Sequence, residues 1–290
     1  MGKSREIKNR IKAVKNIQRI TRTMQMIATS KFAKAQAAAT SSKPYTEGLF
    51  DLVAQLAGAA GEIEHPLLAS PDAGKPELTL VIASDRGLCG PYNANIIRTA
   101  LTHLRGSEKA RSGPVELVGK KGLTPLKFNR IELSKHHTHI GDKPRYADVE
   151  ALAESYMEAF ASGRVSAVRV VSMRYYSAGK QAPEVRQLLP FTSEALTASA
   201  ATGATKPYEF TPGAEELLSA LVPAAVKAVL FQAFNDAIVS EHVARMVAMK
   251  SATDNAKKMG KSLKTKYNRA RQAQITTELT EIVSGAAALG

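Results

Sequence analysis

The sequence predicts an α/β protein: a central Rossmann-like domain carried on a long antiparallel coiled coil made from the two ends of the chain. Three observations predict it. Both ends repeat apolar residues every third or fourth position over long stretches. The middle alternates short apolar runs with amphipathic segments. The charge is lopsided, with 40 Lys and Arg against 26 Asp and Glu in 290 residues, a formal net charge of +14.

Residues 1–58 are read as the first coiled-coil helix. Between Gly2 and Pro44 there is neither glycine nor proline. Ile7, Ile11, Val14, Ile17, Thr21, Met24 and Ala28 follow at spacings of 4, 3, 3, 4, 3 and 4, a heptad-like stripe. Continued through Pro44 with a bend, to about Gly58, this helix is roughly 75–85 Å long.

Residues 211–290 are read as the second helix. Thr211 is the expected N-cap, with Pro212 at the first helical position and Glu215 and Glu216 in the first turns. Leu218, Leu221, Val222, Val226, Val229 and Leu230 begin a stripe. Val243, Met246, Met249, Met259, Leu263, Tyr267 and Ala270 continue it, and Leu279 and Ile282 end it. About 75 helical residues span roughly 110 Å, so the two helices are expected to pair with the longer one protruding.

Residues 76–210 read as the domain between them. Glu77–Ser84 has the near-continuous apolar pattern of a buried strand. Pro91–Leu104 reads as a helix, Val115–Val118 as a strand, Lys120–Asn129 as a short helix and Ile131–His137 as a third strand. Asp148–Ala161 reads as an amphipathic helix. Ser166–Tyr176 and Pro183–Leu189 read as strands joined by a turn at Ser177–Gly179. This alternation predicts an open α/β sheet. Thr192–Thr205, rich in Ala, Ser and Thr, reads as a surface loop.

Composition excludes several classes. A single cysteine, Cys89, permits no internal disulfide and no CxxC site. No run of about 18 apolar residues occurs, so no transmembrane helix is expected. The start MGKSREIKNR has no apolar core, so it is not a secretory signal. A pI near 9.8 calls for an acidic partner: nucleic acid, anionic membrane or acidic protein.

The candidate chemical motifs are thin. Ser84-Asp-Arg-Gly-Leu-Cys-Gly90 sits where a strand feeds a helix, a common ligand position. It lacks both GxGxxG and a P-loop lysine, so a structural turn or a partner contact is the better reading. His136, His137 and His139 have no well-spaced carboxylate and read as a solvated edge. Cys89 has no histidine partner nearby and reads as a buried or half-buried thiol. Met24, Met26, Met246 and Met249 read mostly as seam filler. The basic stripe says more. Residues 1–57 hold eleven Lys and Arg against three acids, a net +8. No aromatics interleave with these charges as a base-stacking surface needs. A basic coiled-coil nucleic-acid-binding protein remains the alternative reading.

At four places the residues resemble one family. Arg5-Glu-Ile-Lys-Asn-Arg-Ile11 with Ile20-Thr-Arg-Thr-Met-Gln-Met-Ile-Ala-Thr-Ser-Lys31 resembles the N-terminal helix of F-type ATP synthase gamma subunits, bacterial type. Ser84–Gly90 resembles the loop after that family's first strand. Glu241–Asn255 and Tyr267–Gly285 resemble its C-terminal signatures. The match is close at both ends and loose in the middle.

The resemblance implies a rotor shaft inside a ring of three alpha and three beta subunits, one copy per complex. Its α/β domain would lie against epsilon and the membrane ring of c subunits. Proton flow would turn the shaft, and chemistry would stay on beta. It implies no catalytic residue, cofactor or metal on this chain, with magnesium-bound ATP and ADP held by alpha and beta. It implies a peripheral place on the cytoplasmic side of the cell inner membrane. By the same resemblance Met24, near a basic collar that includes Arg22, faces beta. Arg245 meets the beta "catch", and Arg271, Gln272, Thr276 and Glu281 hydrogen-bond beta farther along. Asp85, Arg86 and Cys89 lie in a loop near epsilon, on the c-ring side. The small, apolar tip Ile282–Leu289 suits turning in an apolar sleeve.

Two departures stand out. Family members commonly carry a second glycine after Gly90, where this chain has Pro91 and then Tyr92, which bears on the epsilon contact. The thiol-regulated insertion of the plastid branch is missing. The start at Met1 without a presequence points to a bacterial source. A nicotinamide-binding enzyme would need a glycine fingerprint that is not found. The vacuolar-type shaft is expected to lack the strand-rich middle.

Overall fold

The computed structural model describes residues 2–59, 65–68, 74–141, 144–191 and 213–289. The expected cap at Thr211 and Pro212, and the Thr192–Thr205 loop, lie outside the described residues.

The chain divides into two compact units, Lys31–Ala244 and Met1–Ser30 with Arg245–Gly290. Two helices take part in both: α1, Gly2–Ala59, and α6, Ala214–Leu289. Pro44 and Pro223 sit inside them.

The Lys31–Ala244 unit is a three-layer α/β/α domain. Its sheet holds β1 (Glu77–Ile82), β2 (Val115–Val118), β3 (Lys135–His137), β4 (Ala167–Ser177) and β5 (Lys180–Leu189), in the order β3-β2-β1-β4-β5. The first four are parallel, with Val81 opposite Leu117 and Val171. β5 runs antiparallel to β4 along one edge. β1 is buried on both faces, which explains its unbroken apolar run.

One face carries α2 (Tyr92–Gly106), α3 (Glu108–Ser112) and α4 (Leu123–Phe128). Ile96, Ala100, Leu104 and Leu126 pack there on Val81, Leu117 and Val171. The other face carries α5 (Tyr146–Ala161), the end of α1 and the start of α6. Leu218, Val222, Val226, Leu230 and Phe234 of α6 meet Leu49, Val53 and Leu56 of α1 there, over Leu80 and Val168. By length and composition α6 does contain a stretch apolar enough to cross a membrane, half of it buried inside the protein. Here that stretch is the core helix of the domain, which accounts for its apolarity. Lys227 of α6 reaches across to Glu150 and Glu154 of α5 at 2.9 and 2.7 Å.

The structure differs from the sequence reading in detail. β3 is only three residues long. Arg130 takes a left-handed φ of 59°, Ile131 N–H closes α4 onto Leu126 C=O, and Ser134 N–H is the first to reach β2, at Val115 C=O. α3 was not anticipated; it is five residues long and capped by the Ser107 hydroxyl. β5 begins at Lys180, before Pro183, because an edge strand tolerates a missing donor.

In the Met1–Ser30 and Arg245–Gly290 unit the helices pair through two heptad ladders. On α1 the inward positions are Ile7, Ile11, Val14, Gln18, Thr21, Gln25 and Ala28. On α6 they are Met249, Thr253, Ala256, Gly260, Leu263, Tyr267, Ala270 and Gln274. Four apolar residues of the expected stripe face out: Leu279 (58% exposed) and Ile282 (67%) beyond the pairing, and Ile17 (52%) and Met259 (56%) within it. Gln18 and Gly260 take the places nearest Ile17 and Met259. From Ile275 to Ala288 every residue of α6 is exposed.

Candidate functional site

Three regions contain the residues singled out in the sequence. The first is the loop between β1 and α2, at the carboxyl end of the parallel strands. Asn93 organises it from inside. Its carbonyl accepts from Ser84 N–H at 3.0 Å, and its amide donates to Ser84 Oγ at 2.7 Å and Cys89 Sγ at 3.3 Å. Cys89 is 2% exposed, a buried thiol that holds the loop from within. Asp85 Oδ1 accepts from Lys120 N–H at 3.1 Å, tying the loop to the turn after β2. That turn needs Gly119: its φ is 91°, and a Cβ would collide with Ala83 C=O. Arg86 and Leu88 face outward, Leu88 with a left-handed φ of 63°. This is a wired structural turn with an exposed tip.

Tyr92, where the loop departs from the family pattern, turns inward. It is 3% exposed, and its hydroxyl donates to Ala237 C=O on α6 at 2.9 Å. Pro91 beside it is exposed.

The second region corrects the sequence reading of the histidines. His137 is not on a solvated edge: it is 2% exposed, with Nε2 at 2.6 Å from Glu116 Oε2. Tyr156 of α5 donates to the same oxygen at 2.8 Å and covers that face of the edge strand. Burial pushes the Glu116 pKa up, but the hydrogen bonds from His137 and Tyr156 outweigh it and hold it below its ordinary value. Burial, with the Glu116 carboxylate beside it, holds the Tyr156 phenol well above its ordinary value. His136 is half-buried, and His139 is exposed with its ring edge-on to His137. Among the described residues no group of three or more His, Cys, Asp or Glu gathers to hold a metal.

The third region is the coiled-coil unit. Arg22 is exposed and Met24 half-buried on α1. On α6, Arg245 is 9% exposed. Arg271, Gln272, Thr276 and Glu281 are all exposed, with the Thr276 hydroxyl donating to Gln272 C=O at 3.0 Å. They line an open helix rather than a pocket. A shallow groove runs along the pair, lined by Arg10 and Val14 of α1 and by Lys258, Met259 and Lys266 of α6.

Sequence reading found the basic stripe of α1 but missed its counterpart on α6. Residues 245–272 carry nine Lys and Arg against the single acid Asp254. A charge count over the C-terminal signature would have found it. Together the two segments 1–30 and 245–290 carry 17 Lys and Arg against 4 acids, a net +13. Residues 31–244 carry 23 against 22, a net +1. Nearly the whole charge of the chain is on the coiled-coil unit.

Paired terminal helices bearing the charge, with an open α/β domain between them in sequence, define a scaffold subunit that presents a long helical surface to partners. Comparison with known proteins agrees. A family described as ATP synthase matches residues 3–289. The ATP synthase gamma chain of Rhodopirellula baltica is 42% identical, with 100% of this chain and 99% of that one covered. The ATP synthase gamma chain of Leptospira biflexa serovar Patoc is 40% identical, with 100% of each covered. The fold recurs in a chain of the Euglena gracilis mitochondrial ATP synthase rotor, at a TM-score of 0.61 and 17% identity, covering 94% of this chain and 99% of that one. A chain of the OSCP/F1/c-ring structure from the same organism gives 0.66 at 17% identity, covering 99% and 95%. The chain belongs to the ATP synthase gamma chain family.

Proposed function

We propose that the chain is the central rotor shaft of an F-type ATP synthase, coupling proton flow through the membrane sector to ATP synthesis or hydrolysis on alpha and beta. It has no catalytic role of its own. One copy sits among three alpha and three beta subunits, with epsilon and the c ring at its α/β domain. Magnesium-bound ATP and ADP stay on alpha and beta. The complex holds it at the cytoplasmic side of the cell inner membrane, as a peripheral protein.

The observation that carries this reading is the segregation of charge. A net +13 on the coiled-coil unit against +1 on the rest is what a shaft needs where it meets acidic levers on beta, since complementary charge steers and registers a contact. Arg22, Met24 and Arg245 form the beta contact nearer the domain in sequence, and Arg271, Gln272, Thr276 and Glu281 the farther one. The tip Ile282–Leu289, exposed from Ile282 to Ala288 with Ile282 and Val283 bare, turns in an apolar sleeve. Asp85, Arg86 and the turn that Cys89 anchors face epsilon, on the c-ring side. The nucleic-acid reading finds no support among the relatives.

The test is native mass spectrometry of the complex isolated through a tag on this chain. A mass requiring three alpha, three beta and one copy of this chain supports the reading. A lone chain, under conditions that preserve such complexes, overturns it.

A further inference from the structure

We infer that the Tyr92 hydroxyl is a mechanical latch: it pins α6 against the α/β domain and sets how stiffly the domain drives the shaft. The inference rests on the shaft reading above.

Tyr92 is the first residue of α2. Its side chain is buried, and its hydroxyl donates at 2.9 Å to the carbonyl of Ala237, a residue 145 positions away in the middle of α6. In an α-helix that carbonyl already accepts from the amide four residues on, here Glu241. The phenol occupies its second lone pair, so the bond adds a cross-tie without being needed to complete the helix. The methyl side chain of Ala237 lets the phenol approach the backbone. Pro91 just before Tyr92 fixes the entry of α2.

The surroundings say what the cross-tie resists. Phe234, Ala237 and Ile238 of α6 face Ile82, Ala83 and Val118 at the strand ends, around a cavity of about 20 Å³. Apolar contact is non-directional; close packing holds the layers together but contains no bond of set direction. A hydrogen bond of fixed length and direction opposes slip and twist. Ala237 also precedes Arg245, the first α6 residue of the coiled-coil unit, by eight residues, about two helical turns. Torque passing from the domain to the coiled-coil unit leaves along α1 and α6, on α6 just past this point.

The test uses the assembled alpha-beta complex with this chain, held by its beta subunits, and a gold nanorod on the α/β domain. Wild type, Tyr92→Phe and Tyr156→Phe are compared. Tyr156 is the control: its equally buried hydroxyl donates to Glu116 of β2 rather than to a carbonyl of α6. Tyr92→Phe is expected to broaden the nanorod's angular distribution during a catalytic dwell by roughly a fifth to twofold, the scale of losing one neutral hydrogen bond while the core stays packed. ATP hydrolysis should be unchanged, and Tyr156→Phe should leave the width at the wild-type value. A Tyr92→Phe width equal to wild type overturns the latch, as does equal broadening by Tyr156→Phe. A wild-type nanorod that does not turn overturns the shaft reading itself, a separate failure.

Discussion

Thr253 of α6 places its hydroxyl 2.8 Å from that of Thr21 on α1, across the seam of the coiled-coil unit and 232 residues away in sequence. The single Thr253 hydroxyl proton is shared between Thr21 Oγ1 and Met249 C=O, both at 2.8 Å, while the Thr21 hydroxyl donates to Gln18 C=O at 3.1 Å. The pair marks the register of the two ladders, since a hydroxyl pair meeting across a seam fits one alignment only.

Two rungs along α6 is Gly260. A Cβ built there meets Val14 Cγ1 at 3.9 Å, an ordinary contact. Gly260→Ala is therefore expected to stabilise the helix by about 1 kcal/mol, the difference between glycine and alanine in a helix interior. A thermal melt of the purified chain should shift upward by about 2 °C or more. A downward shift would show that the seam has no room.

The Glu116 site predicts a pH dependence. Its pKa is held below the ordinary 4.5, so its contribution to stability is full above that value and is lost as pH falls through the lowered one. Tyr156→Phe removes one of the two donors, raises the Glu116 pKa and moves the acid loss to higher pH. Asp236 works in the opposite sense, because burial raises its pKa despite the Gln232 hydrogen bond. It loses stability as pH rises, so the difference between variant and wild type should be taken at each pH. Urea midpoints across the acidic range check this. A difference that does not change with pH would contradict it.

Charge on the coiled-coil unit should govern assembly. Replacing Lys258 and Lys266, which line the groove, by Glu should slow association with the alpha-beta hexamer about tenfold or more at low salt, with the gap closing as salt rises. Stopped-flow mixing reads both limbs. An association rate indifferent to salt would remove electrostatic steering from the account.

Arg271 is exposed on α6, so its loss should not unfold the chain. Arg271→Ala is expected to leave the melting temperature in place. It should weaken one charge-assisted contact to beta, worth about 1.5–3 kcal/mol, seen as a fall in proton pumping per ATP hydrolysed. Unchanged coupling would count against the assignment.

The sequence made the long-range plan readable because periodicity encodes it. Val115–Val118 was read to its ends because Val115, Leu117 and Val118 are apolar and buried, and Gly113-Pro114 and Gly119 bound the run. The seam was read one residue off at Ile17, because apolarity alone cannot tell an exposed isoleucine from the inward Gln18; the strict heptad can. His137 was misread because its burial depends on Tyr156, 19 residues away on another element. Tyr92 was visible as a departure, but the direction it turns depends on where α6 lies. Of the candidate contacts, charge and exposure were legible and the partner surfaces were not.

The most direct test of the shaft account is rotation. A gold nanorod fixed to the α/β domain, with the alpha-beta hexamer immobilised and ATP supplied, should turn in one direction with three pauses per turn, one for each beta subunit. A nanorod that only fluctuates about one angle while ATP hydrolysis continues would contradict it.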